Sequence, residues 1–196
     1  MNGFAAEFDV LSPAARDVLK LNPSAAYTAL VVSGAGYKEA ADNLEKIGPE
    51  VVLAKPAVDR DDASAALAGL WLWHDWLERS HKISQNLQSA SGSFWHAMMH
   101  RREGDFSNSK YWYARCGDHP ILASLARAAG DIVNPYPADI STLRIIRHGW
   151  DASAFVDLVQ AVHNHQDDPR HGLAIALQQL EWRMLFDHCL RGAAGK

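Results

Sequence analysis

The feature that most constrains the fold is the helical spacing of apolar residues in the C-terminal two-thirds of the chain. From Asp61 onward, apolar residues recur every three or four positions, and capping residues, Gly or Pro separate the segments. No segment of comparable length alternates apolar and polar residues as a strand does. The pattern predicts an all-α fold: a single helical domain of about six to eight helices, packed mostly antiparallel as in a bundle.

The distribution of charge divides the chain into two parts. Residues 1–62 carry 6 basic and 10 acidic residues, whereas residues 63–196 carry 13 of each, so the net charge of -4 is entirely N-terminal. The length of 196 residues is within the usual range of one domain. We therefore expect one domain over residues 1–196, with an acidic, turn-rich N-terminal part (1–60) and a helical core (61–196).

Composition excludes several classes of protein. The acidic balance and the pI of about 6.2 argue against a nucleic-acid partner. No stretch approaches the roughly 20 apolar residues of a membrane span, and the N-terminus lacks the features of a signal peptide. We expect no membrane partner and a cytoplasmic location. Cys116 and Cys189 are too few for a disulfide framework, and a homo-oligomer stays possible.

One predicted helix carries a histidine stripe. Ala65 to Leu87 contains no Pro and only one Gly, which predicts a single helix of about 25 residues. At about 100° per residue, His74 and His81 fall on one line, together with Glu78, Gln85 and Gln88. The stripe is either a solvated face or one wall of a polar cleft.

The next helix holds the best candidate for chemistry. His96, His100 and Glu103 are spaced by four and three residues and so project from one face. Two imidazoles one turn apart can share a divalent metal, with the carboxylate as a third ligand. Alternatively, His100 and Glu103 serve as acid and base in catalysis without a metal. The zinc-protease motif is absent, because Ala97 follows the first His where that motif has Glu.

Cationic and aromatic residues surround these groups. Arg101, Arg102 and Lys110 can hold a carboxylate or phosphate. We expect a cleft for a small polar or anionic molecule, in which Trp95 contacts the ligand and His74 and His81 form the opposite wall. The alternative is a structural or interaction protein, in which the His, Trp and Arg side chains brace helices through buried hydrogen bonds. The sequence alone decides neither whether the protein is an enzyme nor whether it holds a metal.

A longer segment resembles an uncharacterised family of bacterial and fungal proteins. The resemblance lies in the run Gly92–Glu103 (GSFWHAMMHRRE), continued by Asp105, Asn108, Lys110-Tyr111-Trp112 and His119-Pro120. Upstream, His74-Asp75 and Ser80-His81 match as well. No established reaction is known for that family, so the resemblance indicates where the functional residues lie and implies no mechanism.

Overall fold

The computed structural model describes residues 8–133 and 144–196. Within these ranges there are nine α-helices, one short 3-10 helix at Pro49–Val51 and no β-strand. The all-α, single-domain prediction is confirmed, with one helix more than the upper end of the expected number. The helices are α1 (Pro13–Leu19), α2 (Lys38–Leu44), α3 (Arg60–Trp73), α4 (Leu77–Ser84), α5 (Ala90–Glu103), α6 (Phe106–Cys116), α7 (Leu122–Val133), α8 (Ala152–Val162) and α9 (Pro169–Ala193).

Short polar side chains start most of these helices. Each accepts a hydrogen bond from a backbone N–H of the first turn, which would otherwise lack an acceptor. For example, the Ser89 hydroxyl accepts from the amide of Gly92 at 3.1 Å. The caps with a side-chain bond are Ser12, Asp59, Ser89, Asp105, Asp151 and Asp168.

The single long helix predicted over Ala65–Leu87 is wrong: the chain turns between α3 and α4. Asp75 adopts a left-handed conformation (φ 66°), which its short polar side chain tolerates better than most. The amide of Trp76 donates to the carbonyl of Trp71 at 3.0 Å, so the turn caps the end of α3. No Gly or Pro marks this corner, which explains why the spacing alone predicted one helix. As a result, His74 and His81 do not share a helix face.

Helix α5 is the centre of the molecule. It packs against α3, α4 and α6, and every residue from Ser91 to Arg102 is buried. The N-terminal part belongs to the same core, as Tyr27 stacks on Trp73 with ring centroids 5.4 Å apart. A helix that is buried on all sides is usually apolar throughout, but this one carries two histidines and two arginines. The contacts of these four polar side chains decide whether they stabilise the fold or form a candidate site.

None of the described helices combines the length and the apolar character that crossing a membrane requires.

Candidate functional site

Three histidines from two helices meet beside α5. His81 of α4 lies 4.8 Å from His96 and 5.5 Å from His100, measured between ring centroids. The rings of His96 and His100 are themselves stacked at 4.7 Å. One ring nitrogen from each residue lies within 4.8 Å of the other two. We refer to His81, His96 and His100 as the histidine cluster.

The three histidines come together in two ways: two of them by helix spacing, and the third by packing of one helix on another. His96 and His100 are one turn apart on α5, so they stack along one face of the helix. His81 comes from α4, which the corner at Asp75 folds back against α5. The spacing alone predicts His96 and His100 as metal ligands and His81 as part of a cleft wall. The structure brings all three together.

His96 is buried, with 3% of its surface exposed, and its Nδ1 has no hydrogen-bond partner among the described residues. Burial, the largest cause, and the neighbouring His100 and His81 together lower the pKa of His96 to about 4. The imidazole is therefore neutral at physiological pH. Neutral imidazole is the form that binds a metal, and a buried ring nitrogen without a partner is costly unless something binds it.

Glu103 orients His100. Its Oε1 lies 2.6 Å from Nδ1 of His100, and because the carboxylate only accepts, Nδ1 carries the proton and donates. In the neutral tautomer that this bond selects, the lone pair is on the other nitrogen, Nε2. This arrangement of carboxylate and histidine is the usual outer-shell support of a metal-binding imidazole. Glu103 thus orients His100, and His81, not Glu103, is the third residue whose ring nitrogen lies near those of His96 and His100.

Trp112 of α6 closes one side of the cluster. Its ring stacks on His96 at 3.9 Å between centroids, with the planes 16° apart. The guanidinium of Arg115 lies 5.1 Å from the centre of the same indole. In the sequence, Trp112 is one of several aromatic residues near the predicted site, and nothing singles it out. Its position depends on how α6 packs on α5, which no local motif encodes.

A second acidic group next to the cluster has a different role. Asp105 lies near His100 and Glu103. However, it caps α6: it accepts from the amide of Asn108 at 3.0 Å and from the hydroxyl of Ser107 at 2.9 Å. These hydrogen bonds lower its pKa, the backbone bond being the largest cause. A metal at Asp105 would have to compete with the helix for the same oxygens.

The two arginines predicted to hold an anion are instead bonded within the protein. Arg101 is fully buried and pairs with Glu181 at 2.6 Å. Tyr113 completes this group, as its hydroxyl donates to Glu181 at 2.8 Å and accepts from Arg101. We refer to Arg101, Tyr113 and Glu181 as the buried ion network.

Arg102 holds three parts of the chain together. It donates to the carbonyls of Leu72 at 2.9 Å and Ala29 at 3.0 Å. It also pairs with Asp75 at 2.8 Å, and its guanidinium lies 4.1 Å from the centre of the Tyr27 ring. Arg102 therefore stabilises the corner between α3 and α4.

The remaining predicted ligand-binding residues lie apart from the cluster. The buried His74 lies 2.9 Å through Nε2 from the carbonyl of Val18, to which it donates. Trp95 is fully buried beside Gly69, where an added Cβ would lie 2.8 Å from its ring. Lys110 pairs with Asp157 at 2.5 Å. The structure does not bring these three residues to one place.

A serine–histidine pair resembles a nucleophile and its base but has the wrong tautomer. The Ser91 hydroxyl lies 3.1 Å from Nε2 of His119. The amide of Ile121 donates to Nδ1 of the same ring, so the proton is on Nε2. His119 then donates to Ser91 and cannot accept its proton. This pair is a structural hydrogen bond.

Comparison with known proteins gives no relative: no family model, no curated protein and no solved structure matches the chain. The resemblance to an uncharacterised family thus stays a prediction, and the functional argument depends on the geometry alone.

Proposed function

We propose that the protein binds a divalent transition metal, of the zinc class, through His81, His96 and His100, and uses it to act on a small polar or anionic molecule. The observation that supports this most is the meeting of three imidazoles, one of them with a buried, unpartnered nitrogen and another oriented by a carboxylate. Imidazole nitrogens are common ligands of zinc, copper, iron and nickel.

The cluster needs only a small adjustment to hold a metal. In tetrahedral coordination with Zn–N bonds of about 2.0–2.1 Å, ligand nitrogens are about 3.4 Å apart. The nitrogens of the cluster lie within 4.8 Å of one another, so they would move closer by about 1.4 Å at most. Rotation of side chains and a slight shift of α4 cover that distance.

Three protein ligands leave a fourth position open, as in catalytic zinc sites. His81 and Glu103 are partly exposed, so water reaches this side of the cluster. Bound through imidazoles alone, the metal would keep its full charge, and the chemistry it would supply is a bound water acidic enough to act as a nucleophile. Hydrolysis of a small polar substrate is the reaction that such a centre supports best.

Metal content tests the proposal directly. Untagged protein, purified without chelator, should hold close to one metal per chain by elemental mass spectrometry. His96→Ala and His100→Ala should lose it. His165→Ala is the matched control, since this histidine is exposed and lies outside the cluster. If wild type stays without metal even after dialysis against zinc, copper and nickel, the proposal is wrong.

The second candidate is a structural or interaction protein, and the buried ion network favours it. In that case the histidines also brace helices. His96→Ala and His100→Ala would then lower the free energy of unfolding by several kcal/mol in metal-free protein. A metal centre predicts the opposite, with little loss of stability in the metal-free state and complete loss of metal.

A further inference from the structure

The two histidines of α5 differ in what orients their imidazole rings. His100 is oriented by its hydrogen bond to the carboxylate of Glu103. Nδ1 of His96, in contrast, has no partner among the described residues. Most metal-binding histidines are oriented as His100 is, through the ring nitrogen that does not bind the metal. A contact of another kind has to orient His96 if it is to serve as a ligand.

A metal ligand must present its nitrogen lone pair in a fixed direction. The lone pair lies in the plane of the imidazole, and the torsion that turns this plane has a broad energy profile. A free ring would therefore sample many directions in which its lone pair misses the metal. Fixing the plane before the metal binds removes that entropic cost.

Trp112 fixes the plane of the His96 ring from one side. The indole is 3.9 Å from the imidazole between centroids, with the planes 16° apart. His100 is stacked on the same imidazole at 4.7 Å and 17°. Two rings stacked on one imidazole at these distances lie on its opposite faces, so His96 is enclosed between them. Turning the ring of His96 would push its edge into the indole.

The indole is itself held in place by its own helix. The ring of Tyr111 packs edge-on against it, at 5.6 Å between centroids and 84° between planes. The guanidinium of Arg115 lies 5.1 Å from its centre. Helix α6, which carries all three residues, packs along α5. The packing of α6 on α5 thus sets the orientation of the His96 ring.

The indole also suits the charge that a metal would bring. An imidazole that binds a divalent cation becomes electron-poor, and the face of an aromatic ring carries the negative part of its quadrupole. Among aromatic side chains, tryptophan attracts positive charge to its face most strongly. The stacking of Trp112 on His96 should therefore strengthen when a metal binds. An aliphatic side chain would fill the same space without this attraction.

We infer that Trp112 is a positioning residue of the histidine cluster, which orients His96 and stabilises its metal-bound form. This role rests on the proposed binding of a metal by the cluster, and it adds a requirement to that proposal. Tight binding needs a flat aromatic ring at position 112, on a helix that supplies no metal ligand.

The zinc affinity of the full chain, measured by competition with a chromogenic chelator, tests this role. Trp112→Leu removes the ring and should weaken zinc binding by about tenfold or more, as expected for the loss of a group that orients a ligand. Trp112→Phe keeps a flat ring and should bind zinc more tightly than the leucine variant but less tightly than wild type. Because Leu and Phe are both apolar, this partial rescue distinguishes orientation from filling of space.

Cobalt(II) gives a second readout, because its visible absorption depends on the arrangement of its ligands. At saturating cobalt, Trp112→Leu should change the absorption bands of wild type, and Trp112→Phe should restore them. Trp150→Leu is the matched control, since it removes an indole that packs on Phe155 and not on the cluster. Urea denaturation shows whether each metal-free variant is folded. If the leucine variant is not, Trp112→Met replaces it, because Met fills space flexibly without a ring.

Three results would overturn the role of Trp112 and leave the proposed metal site standing. These are a zinc affinity of Trp112→Leu equal to that of wild type, a phenylalanine variant that binds as weakly as the leucine variant, and an equal loss of affinity in Trp150→Leu. If wild type itself binds neither zinc nor cobalt, the proposed function is wrong and the role of Trp112 is wrong with it.

Discussion

His100 and Arg101 are neighbours on α5, yet they belong to two different kinds of buried polar group. Arg101 ends in the buried ion network, where Glu181 and Tyr113 bond to its guanidinium and to each other. His100 ends in the histidine cluster, where Glu103 fixes one nitrogen and leaves the other free to bind. The first group pairs two opposite charges within the protein, although Nε of Arg101 has no partner among the described residues, and the second leaves Nδ1 of His96 without a partner there.

This difference shows how a buried polar residue can be interpreted. Charged groups in a core are stable only when paired, so the ion pair of Arg101 and Glu181 accounts for its own residues by folding. Each group contains one buried nitrogen without a partner among the described residues, Nε of Arg101 and Nδ1 of His96, so what separates the groups is that Arg101 has an opposite charge beside it and His96 has other imidazoles. Both groups look the same in sequence, as a dense run of His and Arg. They differ only in what the rest of the chain brings to them.

The largest expected effect comes from breaking the buried ion network. Glu181→Ala leaves Arg101 buried and unpaired, which should lower the free energy of unfolding by about 3–5 kcal/mol, measured by urea denaturation. Asp187→Ala removes the acidic partner of the exposed Arg191 and should cost less than about 1 kcal/mol.

A double variant, Arg101→Leu with Glu181→Leu, sharpens this test. Replacing both charges with apolar groups should recover most of the lost stability, since no unpaired charge remains. Metal content should be unchanged in it. If metal is lost together with the network, the two groups on α5 are not independent and the comparison fails.

A smaller effect is expected at Glu103. Glu103→Gln keeps the size of the side chain but removes the carboxylate that orients His100, and should weaken metal binding by about 10- to 100-fold. Stability of the metal-free protein should change little, because the Glu103 side chain is 39% exposed. Competition with a chromogenic chelator measures the affinity. Unchanged affinity would show that Glu103 does not support the site.

The pH dependence of stability tests whether burial alone lowers the pKa of a histidine that lies outside the histidine cluster. Burial lowers the pKa of His119 to about 4, as it does for His96, although His119 is hydrogen-bonded through both nitrogens. Between pH 6.5 and 4 the unfolded chain therefore binds a proton that the folded protein does not. Stability is fully retained above that window and falls as the pH is lowered, by up to about 1.4 kcal/mol per pH unit for each such histidine.

His119→Gln should reduce that slope when metal-free protein is unfolded in urea at a series of pH values. The metal content of this variant should equal that of wild type. A slope as steep as that of wild type would mean that His119 titrates normally in the folded protein.

Much of the fold follows from local chemistry. Spacing, caps and breaks predict an all-α domain, and capping side chains such as Asp151 and Asp168 do start helices. The pair His96 and His100 could also be predicted, because residues one turn apart on a helix share a face. Such features need only the few residues around them.

The remaining parts depend on contacts between distant segments. The corner at Asp75 has no Gly or Pro and is stabilised by Arg102, which is 27 positions later in the sequence. Glu181 reaches Arg101 across 80 positions. Hence the sequence did not predict that His81 would join the cluster, and for the two arginines it left open whether they hold a ligand or brace helices; only the contacts show them bonded within the protein.

The corner between α3 and α4 would also determine how the proposed metal reaches the histidine cluster. In a rigid-body rotation of α4 about Asp75, His81 is six residues, or about 9 Å, from the pivot. Closing a gap of about 1.4 Å at that radius takes a rotation of roughly 10°. The long helices would not need to move, so the proposed metal could enter a protein that has already folded.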